Sequence, residues 1–219
     1  MDKNTVLNFF FPSRCVFCRE IVSPGTVCSA CREKVEHLRI PDNLQDINHK
    51  ALKNADKCVS FYYYEGIVRD GILNAKGKSC ESFVNVFLQY ISFDFDSFIK
   101  DNDIDVMVSM PCHKSKFYVK EFDLPQLMAK KIAKNYPVEY NDNLVKKIKR
   151  TKNQHKLNLK QRKDNLKDAF AVCENIRGRN ILIVDDIISS GYSLEEVAKT
   201  LKKSGANKVF AVTFAYNKI

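Results

Sequence analysis

No stretch of these 219 residues stays apolar for long. The run Leu7 to Pro12 falls far short of the ~20 residues that a membrane-spanning helix needs, and no basic leader precedes it. A soluble, cytoplasmic chain without direct membrane insertion is expected. No internal repeat and no low-complexity tract is present, which sets aside solenoids and disordered arrays. Histidine is scarce, at four residues, and none stands at ligand spacing to a cysteine. Acidic residues are outnumbered, 26 against 36 Lys and Arg, for a net charge of +10. Anionic partners are therefore favoured, nucleic acid and phosphometabolites above all, although charge alone does not choose between them.

What the chain has is 45% hydrophobic content, enough for one substantial core with a small module beside it. Eight cysteines would suit a disulfide scaffold in a tiny secreted domain, but four of them fall in two CxxC pairs. The other four, Cys58, Cys80, Cys112 and Cys173, are scattered and read as small hydrophobes, with Cys112 set apart by its place after Pro111 at a strand end. Cys15, Cys18, Cys28 and Cys31 make C-x2-C-x9-C-x2-C, in which each pair chelates through a tight knuckle and the spacer brings the chain back to complete a tetrahedron. Four thiolates without histidine favour structural Zn²⁺, with iron as the alternative for the same sulfur set.

The chain divides into a four-cysteine finger over 1–35, a polar linker over 36–56 and a main domain over 57–219. From Cys58 the residues CVSFYYY read as a strand, followed by helices through Ile67, Gly71 and Ile72 and then through Phe83, Val84, Phe87, Leu88 and Ile91. VMVSM ends at Pro111, and a helix is expected from Asp123, capped by Asp123 with Gln126 as reciprocal partner. Strand and helix then alternate to the end, the pattern of an α/β fold with a parallel sheet flanked by helices. Ligands of such sheets bind beyond the carboxyl ends of the strands.

Ile181 to Val184 suit a strand buried on both faces, expected to end at Asp185-Asp186. Adjacent acids ionise together only if donors or a cation relieve their repulsion, and ribose hydroxyls with Mg²⁺ offer that relief. Beyond them Ser190, Gly191 and Ser193 permit close backbone approach. Ser193 is expected to cap the next helix with Glu196 three positions on, leaving N–H groups aimed at a phosphate.

Residues 146–163 carry nine Lys or Arg and no acid. Arg150, Gln154 and Arg162 suit a loop closing over pyrophosphate with forked donors. Lys146, Lys147, Lys149, Lys152, Lys156, Lys160 and Lys163 suit a nucleic-acid backbone, and the two uses can share one surface. His155, in the same stretch, reads as a spectator.

The run of two acids, two variable positions and small hydroxyl residues around a glycine resembles the signature of type I phosphoribosyltransferases for phosphoribosyl pyrophosphate (PRPP). The resemblance implies that fold for 57–219. It also implies that Asp185 and Asp186 meet the ribose hydroxyls and metal, while Ser189, Ser190, Gly191, Tyr192 and Ser193 wrap the 5′-phosphate. Ser189 stands where purine-salvage members carry an acid that serves as base, so no catalytic residue is carried over. The finger, the tyrosine-rich strand leading to Lys76, Pro111 and the spacing of Arg150, Thr151, Gln154, Leu157, Arg162, Asn165, Ala169 and Phe170 together look like the ComF family of competence proteins. That resemblance implies a cytosolic protein that binds PRPP and single-stranded DNA during natural transformation, beside a helicase and the inner face of the membrane DNA channel. An active phosphoribosyltransferase with an unknown acceptor is the alternative.

Overall fold

The computed structural model describes residues 12–22, 26–76, 80–112, 123–151 and 159–218, leaving aside the side chains of Asn43, Cys80, residues 92–95, Leu159, Lys160 and Arg162. The described strands are β1 Lys57–Tyr63, β2 Val106–Ser109, β3 Glu139–Tyr140, β4 Val145–Lys147, β5 Phe170–Val172, β6 Asn180–Ile188 and β7 Lys208–Tyr216. The described helices are α1 Ser29–His37, α2 Gly66–Ala75, α3 Cys80–Asp101, α4 Leu124–Asn135, α5 Leu159–Leu166 and α6 Tyr192–Lys203.

Five strands form one parallel sheet in the order β1-β7-β6-β2-β3, while β4 and β5 pair antiparallel as a separate ribbon. The centre of the sheet is β6, where Ile181 to Val184 have no exposed surface. Side chains alternate along a strand, so Leu182 and Val184 join Phe210, Val212 and Phe214 in the core under α2, α3 and α4. Ile181 and Ile183 join Val209 and Ala211 under Leu194, Val197, Ala198 and Leu201 of α6. Each such aliphatic side chain, fully buried, stabilises by about 1.5–3 kcal/mol. Leu194, Val197, Ala198 and Leu201 fall on one face of α6 by helix spacing, against a sheet with two dry faces.

Three local expectations are corrected. The central strand does not stop at the acids but continues through Asp185 and Asp186 to Ile188, paired with β7 as far as Tyr216. Its backbone bonds to β7 hold it extended past the change from apolar to charged side chains. Asp123 stands at the N-cap of α4 but makes no side-chain cap bond, and Gln126 donates instead to Asp142 at 2.9 Å. Cys173 is exposed and Cys112 only half-buried; Cys58 alone of the scattered cysteines described here is a buried small hydrophobe.

The segment 36–56 is tied along β1 by bridges at Arg39↔Tyr62 and Asp46↔Val59, with Ile40, Gln45 and Ile47 buried. The finger docks through Phe17, the second of the two residues between Cys15 and Cys18. Its ring is 1% exposed, lies edge-on to Phe83, and its carbonyl accepts a 2.8 Å bond from Asn74 Nδ2. Gly71 makes room for it: a Cβ there would lie 2.4 Å from Phe17 Cδ1. Gly71→Ala is expected to force Phe17 out of its seat and destabilise by about 1–3 kcal/mol, read in a urea titration. Unchanged stability would mean that the finger does not dock where it is described.

Candidate phosphoribosyl and metal sites

The finger folds around its cysteines and is seated on the main core through Val16, Phe17, Val22 and Val35. A short antiparallel bridge, Arg14↔Ile21, closes the first knuckle, with Cys15 N–H donating to Glu20 O at 2.8 Å. Cys28 sits at the N-cap of α1, which places Cys31 in its first turn, where the positive end of the helix favours thiolate. The four sulfurs lie within 4.8 Å of one another, and Cys18 Sγ is 3.8 Å from Cys28 Sγ. A regular tetrahedron with ~2.3 Å Zn–S bonds has edges of roughly 3.8 Å, so the cluster fits zinc. Burial pushes the Cys15 thiol up, but backbone donors from Cys18, Cys28 and Phe17 outweigh it and hold the group down at about 7. Burial and the three neighbouring sulfurs raise the Cys31 thiol, a crowding that a bound cation would relieve.

Near its carboxyl end β6 carries two acids to opposite faces. Asp186 lies with Leu182 and Val184 on the α2 side, and Lys76, just past the end of α2, places Nζ 2.5 Å from Asp186 Oδ2. Burial lowers the Lys76 ammonium, and the charge and hydrogen bond of Asp186 more than compensate, so the net shift is upward. Asp185 lies on the α6 side and accepts a 2.8 Å bond from Asp186 N–H. Burial, and then the charge of Asp186, push its carboxyl well above the ordinary value. Burial also pushes the Cys58 thiol up to about 12, with Asp46 and Asp185 adding to the effect.

Past Ile188 the chain turns through Ser189, Ser190 and Gly191 into α6. Gly191, not Ser193, is the N-cap: it takes a left-handed φ of 69° that a side chain would strain, and Ser193 falls inside the first turn. The expected capping box therefore does not form. Glu196 instead accepts from Asp168 N–H at 3.0 Å, while Glu195 accepts from Lys53 N–H, Asn54 N–H and Asn54 Nδ2. The first-turn N–H groups of a helix have no intrahelical acceptors, which makes this end a seat for an anion. His49 lies beneath the turn with Nε2 2.7 Å from Ser189 O.

The basic stretch is split between the β4–β5 ribbon and α5. Lys146 and Lys147 lie on β4, Lys147 Nζ is 5.6 Å from the centre of the Phe170 ring, and Lys149, Arg150 and Lys163 are exposed. Lys149 also donates to Lys167 O at 2.9 Å. Lys160 and Arg162 lie on α5, and Lys152, Gln154, His155 and Lys156 lie outside the described residues. Sequence reasoning assigned no role to Lys76, His49 or Glu195. Lys76 is 110 positions before Asp186 and His49 is 140 before Ser189, so no local pattern ties either to the acid run.

Two expectations follow for stability. Asp185 holds its proton to higher pH when folded than when unfolded, so its contribution is fullest below the ordinary carboxylate range and is lost as pH rises through the raised value. Near neutral pH the ionised group opposes folding, and Asp185→Asn is expected to raise the melting temperature. Asp186→Asn strands the Lys76 ammonium and is expected to cost about 1–2 kcal/mol after allowing for the exposure of Lys76. Shifts of the same sign in thermal melts would contradict this division. For the finger, native mass spectrometry is expected to find one zinc per chain and none in Cys18→Ser, whose melting temperature falls.

Comparison with known proteins gives two domain matches. Residues 127–219 match the phosphoribosyl transferase domain, and residues 6–42 match the double zinc ribbon domain. DNA utilization protein YhgH of Escherichia coli (strain K12) is 30% identical over 105 residues, covering 48% of this chain and 46% of that protein. Competence protein F of Haemophilus influenzae is 29% identical over 108 residues, covering 48% and 47%. The chain thus matches about half the length of these relatives. Phosphoribosylpyrophosphate synthetase from Mycobacterium smegmatis aligns over 62% of this chain and 33% of its own with a TM-score of 0.29 and 14% identity, too loose an overlap to carry weight. The chain thus carries a double zinc ribbon and a phosphoribosyl transferase domain, and over about half its length it is similar to competence protein F and the DNA utilization proteins.

Proposed function

We propose that this chain binds PRPP and single-stranded DNA and assists DNA uptake in natural transformation. The observation that carries the reading is the acid pair on β6 leading into the Gly191 turn and the N-terminus of α6, within a phosphoribosyl transferase domain. Asp185 and Asp186 would hold the ribose hydroxyls and Mg²⁺, which when bound neutralises diphosphate charge. Ser189, Ser190, Gly191, Tyr192 and Ser193 would receive the 5′-phosphate through backbone N–H groups and hydroxyls. Lys76 neutralises Asp186 from the protein side. Arg150, Gln154 and Arg162 would close on the pyrophosphate.

The names of the relatives favour DNA as the second ligand, and the net charge of +10 favours it on physical grounds. Lys146, Lys147, Lys149 and Lys163, with Lys152, Lys156 and Lys160 of the same stretch, would follow a phosphate backbone. A competence helicase and the inner-membrane DNA channel are the partners of this reading. No described helix is long and apolar enough to cross a membrane. A second reading, transfer of the phosphoribosyl group to an acceptor, is favoured by the domain match itself. It requires pyrophosphate release from PRPP when nucleobases, amines or ammonia are supplied.

Calorimetry with PRPP and Mg²⁺ is expected to register binding by the wild type and at least tenfold weaker binding by Asp185→Asn/Asp186→Asn. No heat with the wild type overturns the pocket. For DNA, log K is expected to fall with log salt by about 0.7 per phosphate neutralised, and each lysine-to-alanine change on the ribbon to flatten that slope by a similar amount. Affinity indifferent to salt would dismiss the lysine surface.

A further inference from the structure

We infer that His49 is a positioning residue for the phosphate loop, acting by fixing the orientation of the Ser189–Ser190 peptide; this deepens the reading of that loop as the seat of a sugar phosphate and rests on it. His49 belongs to the segment between the zinc ribbon and β1, far in sequence from the loop that it touches. Ala51 N–H donates to its Nδ1 at 3.1 Å, so Nδ1 is an acceptor and Nε2 carries the ring hydrogen. Nε2 then donates to Ser189 O, 2.7 Å away. The two contacts select one tautomer.

The consequence comes from peptide planarity. In a trans peptide the carbonyl and the next N–H point in opposite directions. A Ser189 carbonyl held down against His49 therefore turns the Ser190 N–H the other way. If the peptide rotated, it would bring a carbonyl dipole to the side from which the N–H had been directed, and an anion there would meet a negative end in place of a donor.

The surroundings keep the imidazole in place. Tyr216 meets its ring edge-on with centroids 6.2 Å apart. Glu195, in the first turn of α6, accepts from the backbone of Lys53 and Asn54 and clamps the same segment a few residues on. At Gly191 a Cβ would lie 2.8 Å from His49 Nδ1, so the loop glycine is needed for the approach of the imidazole as well as for its left-handed φ.

The test uses the full chain with ribose 5-phosphate, and with PRPP and Mg²⁺, as probes. His49→Phe keeps an aromatic ring of similar size without the donor, and is expected to weaken binding of ribose 5-phosphate roughly tenfold, about the worth of one charge-assisted hydrogen bond. His49→Gln keeps a side-chain N–H donor and is expected to recover affinity to within about threefold of the wild type. DNA affinity is expected to be equal in all three, as a loss of fold would not allow. In the wild type, long-range proton–nitrogen NMR is expected to find the His49 hydrogen on Nε2, a readout that does not depend on how well the variants fold. Wild-type affinity in folded His49→Phe, or a hydrogen on Nδ1, overturns the role of His49 while leaving the pocket intact. A wild type that binds neither probe removes the pocket, and this inference with it.

Discussion

The structure depends on a single strand that must be dry on both faces for four residues and charged immediately afterwards. Ile181 to Val184 are enclosed between two helical layers, and the same strand, still hydrogen-bonded to β7, delivers Asp185 and Asp186 to opposite sides. No water-facing turn separates core from site. Asp186 is buried and Asp185 half-buried, and each carboxylate has its own partner. Asp186 takes the ammonium of Lys76, whereas Asp185 takes one backbone N–H and keeps its proton to higher pH. A strand that ended before the acids, as expected from the change in residue type, would have left both solvated and chemically alike.

That asymmetry has a cost in stability. An acid whose ionised form is disfavoured by its surroundings opposes folding at neutral pH, and proteins keep such groups mainly where a ligand supplies the missing counter-charge. Lys76 already answers Asp186, so the charge left to be met is that of Asp185. Two adjacent residues of one type are thereby given different work by their environments.

The chain before β1 is held by the same constraints. The zinc ribbon contributes Phe17 to the core through the space left at Gly71, and the strap that follows it runs back along β1, past the phosphate turn, to Glu195. A segment whose composition is polar is ordered here by backbone and side-chain hydrogen bonds more than by apolar burial, which explains why it reads as a connector.

By itself the sequence determined the features that depend on short-range pattern. A continuous apolar run marked the central strand, paired CxxC spacing marked the metal cluster, and small residues around Gly191 marked a loop open to close backbone approach. These are legible because neighbouring residues alone decide them. Where the backbone stopped and which side chain capped it were not, since pairing to β7 carries β6 past its apolar run and Gly191 takes the cap position that Ser193 was expected to hold. Only the tertiary structure brought Lys76 to Asp186, His49 to Ser189 and the strap to Glu195. Each of these contacts spans more than a hundred residues, and a lysine, a histidine and a glutamate carry no mark of their partners until the sheet assembles and places them within bonding distance.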